Sequence, residues 1–230
     1  MQEYVHIPFV RLKVGRFLFL LASIVLMFTV RPFLEGLVGI GLLVDIFATL
    51  ILASAVYATS SSKRLFRLAL LLALPTLIIH WANYFVEVNK LPLNLPLLGE
   101  IFSGLFFAFM VVVILGYIFK ETQITTDTIA GAICAYFLIG LMWASIFAIL
   151  ELLQAGSFQM PPNMSAEASS FRYYSYVTLT TLGYGDITPI SNQARSFSLL
   201  EAITGQIYLA TLVARLVAIN IVQSMKKESP

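Results

Sequence analysis

Cysteine, histidine and charge are scarce in this chain of 230 residues. Its one cysteine, Cys134, lies inside an apolar run, which excludes a disulfide framework within the chain and a cysteine-based metal cluster. We interpret it as a small buried hydrophobic residue. The two histidines, His6 and His80, are too far apart in sequence to suggest a metal site.

Charged residues make up only 11% of the chain, the formal net charge is +2, and there is no basic tail. Nothing here indicates nucleic acid as a partner. The sequence also offers no nucleophile paired with a base, no Gly-rich phosphate loop and no cluster of metal ligands. We therefore expect a protein that is not an enzyme.

Hydrophobic residues are abundant, at 59% of the chain, and the mean hydropathy is +0.89. A soluble domain this apolar has too few polar groups to cover its surface, so the composition predicts an integral membrane protein. No small-residue cleavage site follows the first apolar run. We therefore expect an uncleaved first span rather than a signal peptide.

Six apolar segments approach the length of about 20 helical residues that a bilayer core of about 30 Å requires. They cover roughly residues 14–31, 35–57, 65–82, 97–118, 127–153 and 193–222. The pattern predicts an all-α integral membrane protein with six transmembrane helices. We divide it into a four-helix N-terminal membrane domain over 1–120 and a second domain over 121–230.

Lysine and arginine near the ends of these segments predict the orientation, because cytoplasmic loops carry an excess of both. Nine lie on one side, namely Arg11, Lys13, Arg16, Lys63, Arg64, Arg67, Lys120, Lys226 and Lys227. Four lie on the other, namely Arg31, Lys90, Arg172 and Arg195. We expect a multi-pass protein of the plasma or bacterial inner membrane with both termini in the cytoplasm.

The polar run between the fifth and sixth segments has a Gly-rich end, "VTLTTLGYGDITP", at residues 177–189. An aromatic stretch before it predicts a short helix over roughly 167–179. Irregular backbone at membrane depth persists only where protein buries it or where it lines a water-filled path. We therefore predict a re-entrant loop in which Gly183 and Gly185 let successive carbonyls point the same way and replace the water shell of a cation. The alternative is a Gly-rich turn in an extracellular loop, which does not explain its place between a half-helix and a full span.

The string Thr181-Leu182-Gly183-Tyr184-Gly185-Asp186 resembles the signature of the tetrameric potassium channels, with Leu where that family usually has Val. The resemblance implies a homotetramer with a K⁺ selectivity filter between helices 5 and 6. Four chains would bind the permeant K⁺ through the carbonyls of Thr181, Leu182, Gly183 and Tyr184. The Thr181 hydroxyl would complete the innermost site.

The resemblance also implies residues that support the filter. Tyr184 would pack on the pore-helix residues Tyr173 and Tyr174, and Asp186 would hydrogen-bond to one of those tyrosines. Thr180 ends the pore helix, whose negative dipole end would point at the ion in the cavity.

The sixth segment carries a glycine, Gly205, in its middle. The resemblance implies a gating hinge there, and the alternative is close packing of helices at a small residue. Gln206, Leu209, Val213 and Val217 fall on one helical face, which predicts the wall of an inner cavity with a gate at its exit. An ordinary packing stripe is the alternative. Arg215 should face away from this surface and meet lipid phosphate, Glu121 or Asp127.

The fourth segment lacks the repeated cations of voltage sensors, and its one formal charge is Glu100. Strong voltage dependence is therefore not expected, because steep gating needs several moving charges. Asp45, within the second segment, is a candidate sensor that would hydrate a crevice, sense protons or pair with a polar group. Glu201 is expected to brace the pore helix.

Only about eight residues follow the sixth segment, so we expect no cytoplasmic ligand-binding domain in this chain. Membrane lipids are the other expected partner. The leading interpretation is a passive potassium-selective channel. A weakly selective cation channel, a non-conducting or regulatory channel subunit and an ion-coupled transporter subunit are the alternatives.

Overall fold

The computed structural model describes residues 4–7, 10–13, 15–34, 40–58, 62–85, 95–121, 123–162, 164 and 167–228. Seven helices lie within these residues. They are α1 (Arg16–Leu34), α2 (Ile40–Ala58), α3 (Lys63–Phe85), α4 (Leu95–Lys120), α5 (Thr126–Leu153), α6 (Ala168–Leu179) and α7 (Asn192–Glu228). The described part of each expected apolar segment is mainly helical, and α6 corresponds to the expected half-helix.

Two short antiparallel strand pairs add to the expected all-α fold. At the N-terminus β1 (Tyr4–Ile7) pairs with β2 (Val10–Lys13). After α5, β3 (Phe158–Gln159) pairs with β4 (Thr188–Pro189), which follows the Gly-rich run. The second pair is too short for a periodic signal in the sequence, and it ties the two ends of the α5–α7 connection together.

Two of the first four helices, α1 and α4, pack against α5 of the same chain, while α2 packs on α1 and α3 packs on α4. The connection from α4, which ends at Lys120, to α5, which begins at Thr126, is so short that the two helices lie side by side. α1 also packs on α5, and one apolar core runs from Leu20 and Ile24 through Met110 to Leu138. The N-terminal helices therefore lie beside the second half of the same chain.

The starts of α1 and α5 are joined by a polar contact. A carboxylate oxygen of Asp127 accepts a hydrogen bond from the backbone N–H of Phe17 at 3.0 Å. The first N–H groups of a helix have no partner within the helix and favour a negative charge. Asp127 therefore caps α1 from the first turn of α5.

Three helices in the described residues are long and apolar enough to cross a bilayer, over Leu95–Lys120, Thr126–Leu153 and Asn192–Ile219. Shorter apolar stretches run over Phe17–Val30 in α1 and Ala48–Tyr57 in α2. An all-α membrane protein agrees with this. The six-span arrangement and the orientation of the termini remain predictions.

Candidate functional site

The half-helix α6 is held in place by aromatic rings on one face. Tyr174 and Phe171 meet Phe158 at ring-centroid distances of 5.2 Å each, and Tyr174 meets Phe147 of α5 at 5.1 Å, all nearly edge to face. Such pairs favour particular ring geometries beyond the area they bury. They position α6 against α5 and the β3 segment.

Hydroxyl groups tie α6 to both neighbouring helices. The Tyr174 hydroxyl lies 2.6 Å from that of Ser198 in α7, and the Tyr176 hydroxyl donates to the Phe137 carbonyl of α5 at 2.6 Å. A Cβ on Gly140 would overlap the Tyr176 ring, so only glycine admits the ring at this distance. These contacts fix both the rotation of α6 and its position along α5 and α7.

The backbone after α6 turns back onto the end of that helix. The N–H groups of Leu182 and Gly183 both donate to the Val177 carbonyl, at 2.9 and 3.2 Å, and the Thr181 N–H donates to Thr178 at 2.9 Å. The Thr180 hydroxyl also caps the helix end, donating to the Tyr176 carbonyl at 2.6 Å. The donors of this segment are thus directed toward the helix.

The φ angles alternate in sign along the same segment. They are positive at Thr181 (58°), Gly183 (60°) and Gly185 (76°), while Leu182 and Tyr184 are not among the positive-φ residues. Alternation between left- and right-handed residues brings successive N–H groups to one side of a chain. With those N–H groups on one side, the carbonyl groups would face the other. Thr181 holds a conformation that only glycine adopts without cost.

Asp186 closes the outer end of this segment. The Tyr173 hydroxyl donates to its carboxylate at 2.7 Å, which is the contact expected from the sequence, and the Ile187 N–H donates at 3.0 Å. The bond from Tyr173 holds the pKa of Asp186 below its ordinary value, because it stabilises the charged form. Asp186 is therefore an anion beside the Gly-rich run.

Residues 180–186 are all exposed in one chain, and Tyr184 is 67% exposed. Within the described residues its ring makes no aromatic contact with Tyr173 or Tyr174. Tyr174 is buried on the opposite side of α6, toward α5 and Ser198, because its hydroxyl finds a partner there. The expected packing of Tyr184 on both tyrosines does not occur within one chain, and for an assembly of chains it remains a prediction.

Gly205 of α7 lies directly against the end of the pore helix. A Cβ on this residue would overlap the carbonyl oxygen of Leu179, the last residue of α6. The glycine lies inside one uninterrupted helix of 37 residues. The geometry shows close packing at Gly205, and the gating hinge stays a prediction.

The inner helix α7 exposes the face that the sequence singled out. Leu209, Val213 and Val217 are 41%, 58% and 52% exposed, and Gln206 is also exposed. The side-chain nitrogen of Gln206 lies 3.5 Å from the hydroxyl oxygen of Thr181, so this face of α7 begins next to the Gly-rich run. The opposite face, with Gly205 and Tyr208, is buried against α5 and α6.

Arg215 connects α7 to the end of α4. Its guanidinium donates to the backbone carbonyls of Phe119 and Glu121, at 2.9 and 3.0 Å. The last carbonyls of a helix lack partners within the helix and carry partial negative charge. Arg215 thus faces away from the Gln206 face, as expected, but its partners are backbone groups.

A cavity of about 410 Å³ lies between the first four helices and the pore helix. Its lining is mostly apolar but includes Glu100 of α4, Ser145 of α5 and Arg172 of α6. Glu100 shares this cavity wall with Ser145 and with the cation of Arg172. The one acid of the fourth segment therefore faces the pore helix.

Asp45 and Glu201 are the two acids within the apolar segments that the sequence predicts as a sensor and a bracing residue. Asp45 falls within α2, but its side chain lies outside the part of the chain that the structure describes. Glu201 is fully buried in α7 and contacts Ser175 of the pore helix, as a bracing residue should. Gly140, Ser175 and Ser198 are not among the residues predicted from the sequence, although small and hydroxylated residues in apolar helices are a known signal of close helix contacts.

A family model described as an ion channel matches residues 146–221. The match spans the end of α5, the pore helix, the Gly-rich run and most of α7, which is about a third of the chain. No curated protein matches the chain. This region is therefore similar to ion channels, which supports a membrane protein that passes ions passively.

Proposed function

We propose that this protein is a potassium-selective channel in which four identical chains surround one central pore. The observation that carries the proposal is the backbone of residues 181–185, where φ alternates in sign while the N–H groups of Leu182 and Gly183 bond back to the pore helix. Carbonyl oxygens on the side of this segment away from α6 would suit a dehydrated monovalent cation.

The ion would lose water as it gains carbonyl oxygens from Thr181, Leu182, Gly183 and Tyr184 of each chain. The Thr181 hydroxyl, which Gln206 contacts from below, would form the innermost ligand. Neighbouring ions in file would push one another onward, so that binding stays weak enough for release. K⁺ is thus the substrate of transport and no chemical step is needed.

Exposure of the segment in one chain supports assembly. Polar backbone at membrane depth is tolerated only where it is buried in protein or lines a water-filled path. Residues 180–186 are all exposed, and so is the Gln206 face of α7. Other copies of the chain, arranged around an axis, would satisfy both surfaces at once.

The charges of α4 support weak voltage dependence. Glu100 and Lys120 are the only charged residues between Leu95 and Lys120, and both lie near its ends. Moving one charge through 100 mV is worth about 2.3 kcal/mol, so such a helix has little to respond with. The gate would then respond to something other than strong voltage changes.

The test is flux through purified protein in liposomes, with K⁺ compared against Na⁺ and with the number of chains counted by cross-linking. We expect K⁺ flux to exceed Na⁺ flux and cross-linking to stop at four. Equal fluxes of both ions would instead favour the weakly selective channel, and no flux from a correct tetramer would favour a regulatory subunit.

Gly183→Asp is the variant expected to abolish ion flux while leaving assembly intact. Gly183 has a φ of 60°, and no atom lies within 4 Å of the place that a Cβ would take. A side chain there strains the backbone and enters open space rather than the core, so assembly should persist while flux is abolished. Unchanged flux would contradict the assignment of residues 181–185 as the filter.

A further inference from the structure

Glu201 is the one fully buried carboxylic acid in the described residues. One of its oxygens, Oε1, lies 2.5 Å from the Ser175 hydroxyl of the pore helix. The other, Oε2, is buried with no hydrogen-bond partner among the described residues. Such a group is costly to bury as an anion.

The single hydroxyl hydrogen of Ser175 can serve only one of its two close contacts. Its hydroxyl oxygen also lies 2.7 Å from the Gly140 carbonyl of α5. A serine hydroxyl has one hydrogen, and a backbone carbonyl can only accept. If that hydrogen goes to Gly140, the contact with Glu201 has a hydrogen only when the carboxyl group supplies it.

The surroundings of Glu201 in the described part of the chain contain no charge that would favour its ionised form. The titratable groups that face it are Tyr136 of α5 and Tyr174 and Tyr176 of α6. Their hydroxyls are engaged with the Leu179 carbonyl, Ser198 and the Phe137 carbonyl respectively. None of the three donates to Glu201.

We propose that Glu201 is a positioning residue that acts as a neutral acid, donating its proton to Ser175 while Ser175 donates to Gly140. This relay joins α7, α6 and α5. Ser175 lies two residues before Val177, whose carbonyl accepts from the N–H groups of Leu182 and Gly183. Loss of the proton to hydroxide leaves a carboxylate opposite the Ser175 oxygen, breaks the relay and releases the pore helix that holds the filter.

Infrared spectroscopy of the full-length protein tests the protonation state without relying on conduction. The C=O stretch of a protonated carboxyl should be present in the wild type at neutral pH, and Glu201→Gln should remove it. Glu121→Gln, at the end of α4, is the matched control and should leave the band in place. A wild-type spectrum with no protonated-carboxyl band that Glu201→Gln removes would overturn the proposal.

Liposome flux then tests the consequence, which rests on the proposed channel function. Wild-type K⁺ flux should fall as pH is raised from about 7 to about 10, the range in which buried glutamates ionise. Glu201→Gln should be insensitive because its amide still donates to Ser175, whereas Glu201→Ala should lose about fivefold at every pH. The same alkaline decline in Glu201→Gln as in the wild type would refute the relay.

The two proposals fail in distinguishable ways. The carboxyl band with no K⁺ flux in any form would refute the channel and leave the neutral acid standing. K⁺ flux without the carboxyl band would refute the neutral acid and leave the channel standing. If Glu201→Ala fails to assemble, Glu201→Gln and the infrared spectra still decide the question.

Discussion

Different kinds of contact join the helices within the two halves of this chain, residues 1–120 and residues 121–230. In the second half, hydrogen bonds cross between helices from Tyr174, Tyr176 and Tyr208, and each joins a specific pair of groups. In the first half, the described contacts between helices are mainly apolar, with Trp81 donating to Thr49 at 3.0 Å as an exception. The half that carries the Gly-rich run is therefore held by directional hydrogen bonds as well as by apolar contact.

The difference has a physical reason. Lipid chains are as apolar as leucine, so apolar contact alone distinguishes poorly between helix–helix and helix–lipid packing. Hydrogen bonds and small residues at an interface specify one arrangement. A row of cation-binding carbonyls needs such an arrangement, whereas helices that surround it tolerate small shifts.

Gly205→Ala should break the second half most severely. The added Cβ would overlap the Leu179 carbonyl oxygen, and overpacking of this kind costs about 3 kcal/mol. Gly116→Ala in α4 is the control, because nothing lies within 4 Å of its Cβ. Unfolding in a detergent titration, followed by circular dichroism, should separate the two variants. Equal stability would show that α7 does not depend on this close approach.

Arg215→Met should loosen the contact between the halves. It removes the donor to the Phe119 and Glu121 carbonyls, and hydrogen bonds from a charged group contribute about 2 kcal/mol. We expect faster proteolysis of the α4–α5 connection and a changed open probability, with the K⁺ to Na⁺ ratio retained. A changed ratio with an intact connection would assign Arg215 to the filter instead.

Tyr173→Phe should have a smaller effect, confined to the outer end of the filter. The lost bond to Asp186 is exposed and contributes about 0.5–1 kcal/mol. This bond lowers the pKa of Asp186. As the pH falls, Asp186 therefore stays ionised and bonded to Tyr173 until the pH passes below that lowered pKa, where the carboxylate becomes protonated. The variant should therefore lose flux at a higher pH than the wild type during acid titration. Identical acid midpoints would count against a role for this bond.

Thr49→Val should have the smallest effect, in the first half. It removes the acceptor of the Trp81 indole N–H, and hydrogen bonds between membrane helices average about 0.6 kcal/mol. A slight loss of stability with unchanged ion selectivity is expected from the same detergent titration and flux assay. A change in ion selectivity would show that the contact between α2 and α3 also affects the geometry of the Gly-rich run.

Much of the fold is readable in the sequence because long apolar runs and polar breaks reflect local chemistry. The sequence predicts the pore helix over roughly 167–179, and it begins at Ala168; the fifth span is predicted from 127, and its helix begins at Thr126. The resemblance to potassium channels predicts a bond from Tyr173 or Tyr174 to Asp186, and the structure has it from Tyr173. In contrast, the turn of Tyr174 toward Ser198 and the capping of α4 by Arg215 depend on partners 24 and about 95 residues away.

The sequence by itself determined where the helices form and where a Gly-rich run separates α6 from α7, because these depend on hydropathy and on the conformational freedom of nearby glycines. Only the tertiary structure decided that α1 and α4 pack on α5 of their own chain, that Gly205 lies against the end of α6 and that Ser175 lies between Gly140 and Glu201. These depend on distances between helices, which no local pattern of residues encodes.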